Sequence, residues 1–521
     1  MAISNFSGGM NNRLNPIKIL DNQGVIYDNI NILSGCLESL KGNKEISDAS
    51  DAQPFCFKEK WSFSPQGTSF ANLLGLAYRA YNNNLEKTLD GKEWVNLFIQ
   101  PPVEAPVVVN GDTVDEDDST KGFYGSDIMY CYTYYCSADG AESAPSSYSE
   151  AMKIGSVSDE GGTNESWVKG SAKVSVIAST DPQVDRIKIY RMGGGITNWQ
   201  EAVEVDNKTE TFIDTTPNDN LGDQLTTIGY IEAPAVSYLC AYYALLFGVS
   251  KDRSNIMYFS NEANPLVWDP LNYILFDEPV VGLGSSSLGL LVFTEYRVYI
   301  IYGTSPSEFQ RYLLYDNVGC VSHNSIQSYK GAVIWQSNDG IYIFDGSNCT
   351  NLTMMAVEPF SNKIISSCFS DECYYGLLDS GDILTIDFKY ESRPVMMIRD
   401  QYEGLHAAFH KVYGVKEGKL YEIATGDQRT LHWKSKAFND DSVTVLKNYK
   451  YIQVYCKGDF VFKIYTDDRL AASVQLKEGY NEIKLQQDLR LGYYIQFEVV
   501  GVGSIFEIVY TMESRLQARG I

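Results

Sequence analysis

Apolar and polar residues alternate along most of this chain at the two-residue period of a pleated strand, in short runs punctuated by turn residues. Residues 331–346, GAVIWQSNDGIYIFDG, show the unit. An apolar run at 332–335 meets the polar turn Ser337-Asn338-Asp339-Gly340, a second run follows at 341–344, and Asp345-Gly346 closes it. β-Branched and aromatic runs around an Asn-Asp-Gly turn predict a β-hairpin. The same pattern returns at 245–249 with 255–259 and at 290–294 with 297–302. It returns again at 375–378 with 383–388, at 413–415 with 419–423, and earlier at 71–97 around Asn82-Asn83-Asn84. Successive units begin about 40 residues apart, the spacing of four-stranded propeller blades. The expectation is an all-β protein built on a β-propeller of about six blades. Two ordinary sandwiches that share hairpins would be the plainer alternative.

Punctuation divides the chain. Residues 1–54 open with Ser7-Gly8-Gly9 and Asn11-Asn12-Arg13-Leu14-Asn15-Pro16, alternate weakly through Ile26, Ile30, Ile32 and Leu33, and end in a polar stretch at 41–52. They read as an extended arm with the first strands. Residues 55–101 are the first blade, and Pro101-Pro102 and Pro106 mark its end. Residues 102–233 hold strands at 128–136, 173–178, 186–190 and 210–213, with turn signals between them. Their order, Tyr-x-Tyr-x-Tyr, Glu-Ser-x-Pro-Ser, Ile-x-Ile-Tyr-Arg, Phe-Ile-Asp-Thr, resembles fibronectin type III domains and implies a small β-sandwich inserted between the first two blades. Residues 234–427 carry the remaining blades. Residues 428–521 alternate at 460–465, 472–476, 479–485, 493–500 and 506–512, which predicts a C-terminal β-sandwich; the tail after Arg515 reads as an arm.

Composition agrees and narrows the functions. The 37 Tyr, 23 Phe and 42 Gly in 521 residues suit strands and turns. The net charge is −24, from 66 acidic and 42 basic residues. That balance repels phosphate and anionic lipid, so a sequence-reading DNA binder is not expected, while a wall that DNA slides past remains compatible. The N-terminus has no apolar signal-peptide core, and no apolar run reaches the roughly 20 residues of a bilayer span. Without secretion, Asn348-Cys349-Thr350 and Asn351-Leu352-Thr353 mean nothing as glycosylation acceptors. No membrane anchor is expected.

Candidate chemistry is sparse. The ten Cys lack paired C-x-x-C spacing, and Cys131/Cys136 and Cys368/Cys373 sit five apart, an odd offset that puts the two thiols of one strand on opposite faces. Buried free thiols are expected. The four His are His323, His406, His410 and His432. A Cys320–His323 pair is conceivable as a nucleophile and base, against local turn packing. Ser337-Asn338-Asp339-Gly340 resembles the Asp-box turn of sialidase propellers but lacks the Trp that follows it. Asp112, Asp115, Asp117 and Asp118 miss the alternating ligands and Gly of an EF-hand, and 214–223 fails because Leu225 stands where a bidentate Glu is needed. Gly193-Gly194-Gly195 has no following Lys-Ser/Thr to make a phosphate cradle, and Gly284-Ser285-Ser286-Ser287 lacks the closing Gly of a nucleophile elbow. No pair of carboxylates stands out for glycoside hydrolysis. No catalytic, cofactor-binding or metal-ligating residue is assigned, no cofactor is expected, and an enzyme is not expected.

Several stretches together resemble tail nozzle proteins of short-tailed bacteriophages, also known as phage stabilisation proteins or tail accessory factors. They are the opening Phe6-Ser7-Gly8-Gly9-Met10-Asn11-Asn12-Arg13-Leu14-Asn15-Pro16, then Met257-Tyr258-Phe259-Ser260, Pro265-Leu266-Val267-Trp268-Asp269 and Leu290-Leu291-Val292-Phe293-Thr294. Gly319-Cys320 and Trp335 with Asp339-Gly340-Ile341-Tyr342 complete the series. The resemblance implies a structural virion protein in the tail, assembled in the host cytoplasm. It implies a homohexameric ring, or hub, below the portal and head–tail adaptor that anchors tail fibres or spikes. Its channel would pass double-stranded DNA at ejection without specific binding. Two other classes remain open: a propeller-type glycan-binding protein or polysaccharide depolymerase, and a monomeric propeller presenting its sandwich to a partner.

Overall fold

A computed structural model describes residues 1–32, 35–114, 120–158, 166–262, 264–354, 362–440 and 442–515. These residues form an all-β molecule: a β-propeller with one sandwich inserted and a second built from both chain ends. Six blades have four strands. Five follow the chain: 69–96, 236–275, 280–316, 327–351 and 364–398. The last blade takes three strands from 404–422 and its outer strand, Lys44–Asp48, from far upstream. A two-stranded hairpin, Gln53–Phe57 with Lys60–Ser64, stands between that blade and the one at 69–96. It occupies a seventh position around the axis, with Phe55 stacked on Phe70 of the next blade at 4.3 Å.

The predicted hairpins are where the alternation placed them. Ala332–Ser337 pairs with Gly340–Phe344 in the register Trp335↔Tyr342. Asp339 is exposed at the turn, where it accepts a hydrogen bond from the Tyr342 hydroxyl at 2.9 Å. Trp335 is fully buried against Phe293 of the preceding blade and donates to the Gly319 carbonyl at 3.0 Å. Such layers recur around the ring. Leu246 and Trp268 pack on the blade at 69–96, and Phe247 and Leu290 join the next pair. Leu377 and Leu405 join the last two blades, and Trp61 and Val415 seat the hairpin.

The insert is a two-sheet sandwich. Val107–Thr113, Gly170–Ser175 and Thr211–Asp214 form one sheet. Gly125–Cys136, Arg186–Gly193 and Ile196–Asp206 form the body of the other, with Ala141–Glu142 at its edge. Cys131 and Cys136 do point to opposite faces of their strand, into separate clusters. Cys368 and Cys373 do not share a strand: they flank the turn at Asp371 and Glu372, both at positive φ. All ten cysteines are free thiols. The insert is tied to the adjoining blade by Lys87 and Asp139, whose charged groups lie 2.6 Å apart with side chains 2% and 7% exposed.

The N-terminal segment, expected as an extended arm with the first strands, packs along the rest of the chain. Gly24–Asp28 pairs antiparallel with Leu431–Ser435 and touches Val395–Ile398, the outer strand of a blade, at Asp28↔Met397. Ala2–Ile3 and Leu37–Ser39 pair with the last strand, Ile495–Arg515. Phe6 packs edge-on against Trp433 at 5.3 Å, and the Tyr27 hydroxyl donates to the Phe6 carbonyl. Phe6, Met10, Tyr27 and Ile30 thus join the C-terminal sandwich and the flank of the 364–398 blade in one continuous core. The segment is Gly-rich because its backbone runs against the propeller. Gly9 has φ +71°, and a Cβ there would lie 2.7 Å from the Pro394 Cβ.

That clash gives a test. Gly75 also has positive φ, +79°, but faces open space. Gly75→Ala should cost about 1 kcal/mol, the backbone penalty alone. Gly9→Ala adds overpacking and should cost about 1–3 kcal/mol more, read from urea denaturation midpoints.

Candidate functional site

A concavity lies on the propeller axis, where each of the seven positions contributes its innermost strand. The opening is about 600 Å³. Gln53 and Phe55 come from the hairpin, Ser69 and Asn72 from the next blade, and Ser285, Gln327, Ser367 and His406 from four others. Many of the inward residues are small or amide-bearing, with Phe55, Phe70, Phe369 and two histidines among them.

Two of the four histidines face this cavity. Burial holds both His323 and His406 down at about 4, so both rings are neutral near pH 7. His323 Nδ1 accepts from the Leu283 backbone N–H at 3.4 Å, which leaves the ring hydrogen on Nε2. Nε2 lies 3.1 Å from Ser69 Oγ and therefore donates to it. A base that would activate Ser69 needs the opposite tautomer. His406 packs between Phe55 and Trp61.

The other sequence candidates lie apart. The Cys320 thiol sits in the core between two blades, contacts the Ser322 carbonyl at 3.2 Å and is pushed up to about 12 by burial. It makes the turn packing and no nucleophile with His323. Asp115, Asp117 and Asp118 fall outside the described residues, and so do the acceptors' neighbours at 355–361 and the tail from 516. Among the described residues, no three His, Cys, Asp or Glu side chains converge as metal ligands, and no helix is long and apolar enough to cross a membrane. Gly193, Gly194 and Gly195 all have positive φ and make the tip of the hairpin between Arg186–Gly193 and Ile196–Asp206. Ser286 Oγ donates to the Gly289 carbonyl at 2.6 Å in a turn of its blade.

Asp214, the first residue of the stretch rejected as a calcium loop, ends the strand Thr211–Asp214 and is fully buried. It accepts from Arg191 Nη1 at 2.6 Å and from the Tyr130 hydroxyl at 2.7 Å, and its other oxygen takes the Thr216 N–H. Arg191 also donates to the Thr216 carbonyl and Asn218, with its guanidinium 3.8 Å from the Phe123 ring centre. The charge is thus paired and solvated by the protein itself, which makes it a clamp between the two sheets of the insert. The signal that could have found it is Tyr130 and Arg191 on facing registers of adjacent strands.

No family model and no curated protein matches this chain. Solved structures do. The chain is similar to one in a crystal structure of the mitotic checkpoint complex, at 11% identity and TM-score 0.28, over 49% of this chain and 87% of that one. It is similar to one in a crystal structure of BBS1N in complex with ARL6DN, soaked with lead, at 9% identity and TM-score 0.30, over 75% and 100%. Likeness at that level carries no argument about fold or function.

Two measurements check the site. Because both histidines titrate lower in the folded protein than in the unfolded chain, the unfolded state binds more protons between about pH 6.5 and 4. Stability is full above that window and falls as pH drops through it; the doubly substituted His323→Gln, His406→Gln protein should lose part of that slope in pH-dependent urea melts. Asp214→Ala leaves the Arg191 guanidinium buried and unpaired, and should destabilise the protein by about 3–5 kcal/mol by thermal or urea unfolding.

Proposed function

We propose that this chain is a structural subunit of a short-tailed phage virion, a tail nozzle that forms a ring below the portal and adaptor. The observation that carries the reading is the position of the stretch on which the resemblance rests. Residues 6–16 are the fastening between the propeller and the C-terminal sandwich: Met10 N–H donates to the Val395 carbonyl at 2.8 Å, and the Ala437 N–H donates to the Pro16 carbonyl at 3.0 Å. A nozzle subunit must hold its units in fixed attitude while other tail proteins pull on them. One continuous core and a buried ion pair at the insert supply that stiffness.

The charge supports the same reading. With −24 and few buried carboxylates, the negative charge sits on outer faces. In a closed ring some of those faces line the lumen, where like charge lets the duplex pass without phosphate contacts. The inserted sandwich, tied to the propeller by Lys87 and Asp139, would offer a surface for fibres or spikes. The reading includes no catalysis, no cofactor and no membrane anchor.

Mass measurement and imaging test it. Purified protein mixed with adaptor–portal complexes should add as a six-fold ring around an axial channel, and the chain should be found in purified particles by mass spectrometry. A chain that stays monomeric, is absent from particles, and cleaves polysaccharide would overturn the reading in favour of a propeller depolymerase.

A further inference from the structure

The axial cavity has a composition unlike the rest of the chain. Of the 25 described residues that line it, none is Asp, Glu, Lys or Arg, although 21% of the chain is charged. An anionic ligand would meet no cation there, and a metal ion no carboxylate. Hydrogen-bonding groups remain plentiful, and their internal bonds leave a definite residue of capacity. Gln327 spends Nε2 on Ser367, at 3.0 and 3.1 Å. Asn324 spends Nδ2 on the Ile365 carbonyl and Gln53 spends Nε2 on the Leu405 carbonyl. Each amide is therefore oriented by its nitrogen, and the side-chain oxygens of Gln53, Asn324 and Gln327 are left as acceptors. Ser69 receives the His323 N–H, so its own hydroxyl hydrogen is left to donate.

One part of the wall is aromatic. Phe55 and Phe70 stack on each other at 4.3 Å with planes 4° apart, Phe369 stacks on Tyr329 at 4.0 Å, and all three phenylalanines line the cavity with apolar ring atoms. Fixed amide oxygens, a hydroxyl donor and apolar ring atoms in a cavity of about 600 Å³ match a molecule with many hydroxyls and some C–H surface. That volume falls in the range of roughly 300–1,000 Å³ typical of small-molecule sites. We propose that the axial cavity of the propeller is a binding site for a neutral mono- or disaccharide. The site is independent of the virion reading, since a free subunit and a ring would carry it alike.

Saturation-transfer NMR and calorimetry on the full chain test this with named probes: glucose, galactose, N-acetylglucosamine, maltose, lactose and trehalose, with glucuronate and glucose 6-phosphate as charged counterparts. At least one neutral sugar should bind, and its charged counterpart should bind at least about tenfold more weakly, as expected where an ion is buried without a partner. Asn72 is exposed at the cavity and makes no side-chain bond that folding needs. Asn72→Trp should block the cavity and abolish binding, with the unfolding midpoint unchanged. Gln327→Leu, which removes one acceptor, should weaken binding by up to about tenfold. No binding by any neutral probe, equal binding of the charged counterparts, or binding unaffected by Asn72→Trp would each overturn the assignment.

Discussion

A propeller must close. Its blades are sheets with exposed edges, and the ring holds together only if the last blade is fastened to what precedes the first. Here the fastening is one short strand. Lys44–Asp48 adds to Lys419–Glu422 and completes the final blade, with Lys419 and Glu45 pairing at 2.8 Å along the seam. The hairpin at 53–64 follows at once and fills the seventh position. Everything upstream of that strand is then committed to the same region. Gly24–Asp28 reaches between the flank of a blade and the C-terminal sheet, and the sandwich is assembled from both ends of the chain. Such pairings join residues as far apart as Asp28 and Met397, Gly24 and Ser435, or Leu37 and Ile505. The closure entropy grows only slowly with that length, but the contacts must form late, so folding is expected to be slow for the size of the domain.

This arrangement explains what the sequence discloses. Blade hairpins are local, and each has one face in an interblade layer, so alternation marks them well; Ala332–Ser337 and Arg297–Tyr302 are examples. The closing strand is different. All five of its residues are exposed, because an outer strand has solvent on both faces, and its sequence reads as a polar linker. Of the two longest strands, Ile495–Arg515 reads as two runs, 493–500 and 506–512, and Leu446–Thr466 only as its second half, 460–465, because glycines interrupt both where they pair. Gly458 and Gly503 have φ of +113° and +133°, and a Cβ on either would strike the partner backbone. The arm at 1–32 looks unstructured for a related reason: Gly8 and Gly9 pass too close to Asn22 and Pro394 for side chains. Glycine marks both a loose segment and one that is too tightly packed for anything else, and the one-dimensional pattern does not separate them.

The cavity was less legible than the fold, and the reason is geometric. Its lining comes one short piece at a time from seven inner strands, so no local motif exists to be recognised. Gln53, Ser69, Ser285, Gln327, Ser367 and His406 span more than 350 positions of sequence. Each is an unremarkable polar residue in its own strand. Only convergence on the axis gives them joint meaning. Buried charge was hidden in the same way: Asp214 opens a stretch of polar residues, but the chain turns it inward to meet Arg191 and Tyr130.

The distribution of charge bears on any role in DNA passage. A net charge of −24 suggests a repelling wall, yet among the described residues the lining of the axial cavity carries no Asp, Glu, Lys or Arg. An opening of about 600 Å³ is on the scale of a small ligand and not of a duplex. In a nozzle, therefore, the DNA path cannot run through the propeller; it must lie between subunits, bounded by outer blade faces or by the sandwiches. The same constraint separates two duties that one toroid might have been thought to share. The outer acidic faces would meet the genome, while the neutral axis would lie off its path and stay free for another ligand. Stiffness links them, because a ring lumen keeps its bore only if each subunit keeps its shape. The single core running from Phe6 through Trp433 to Leu384 is what gives each subunit that shape.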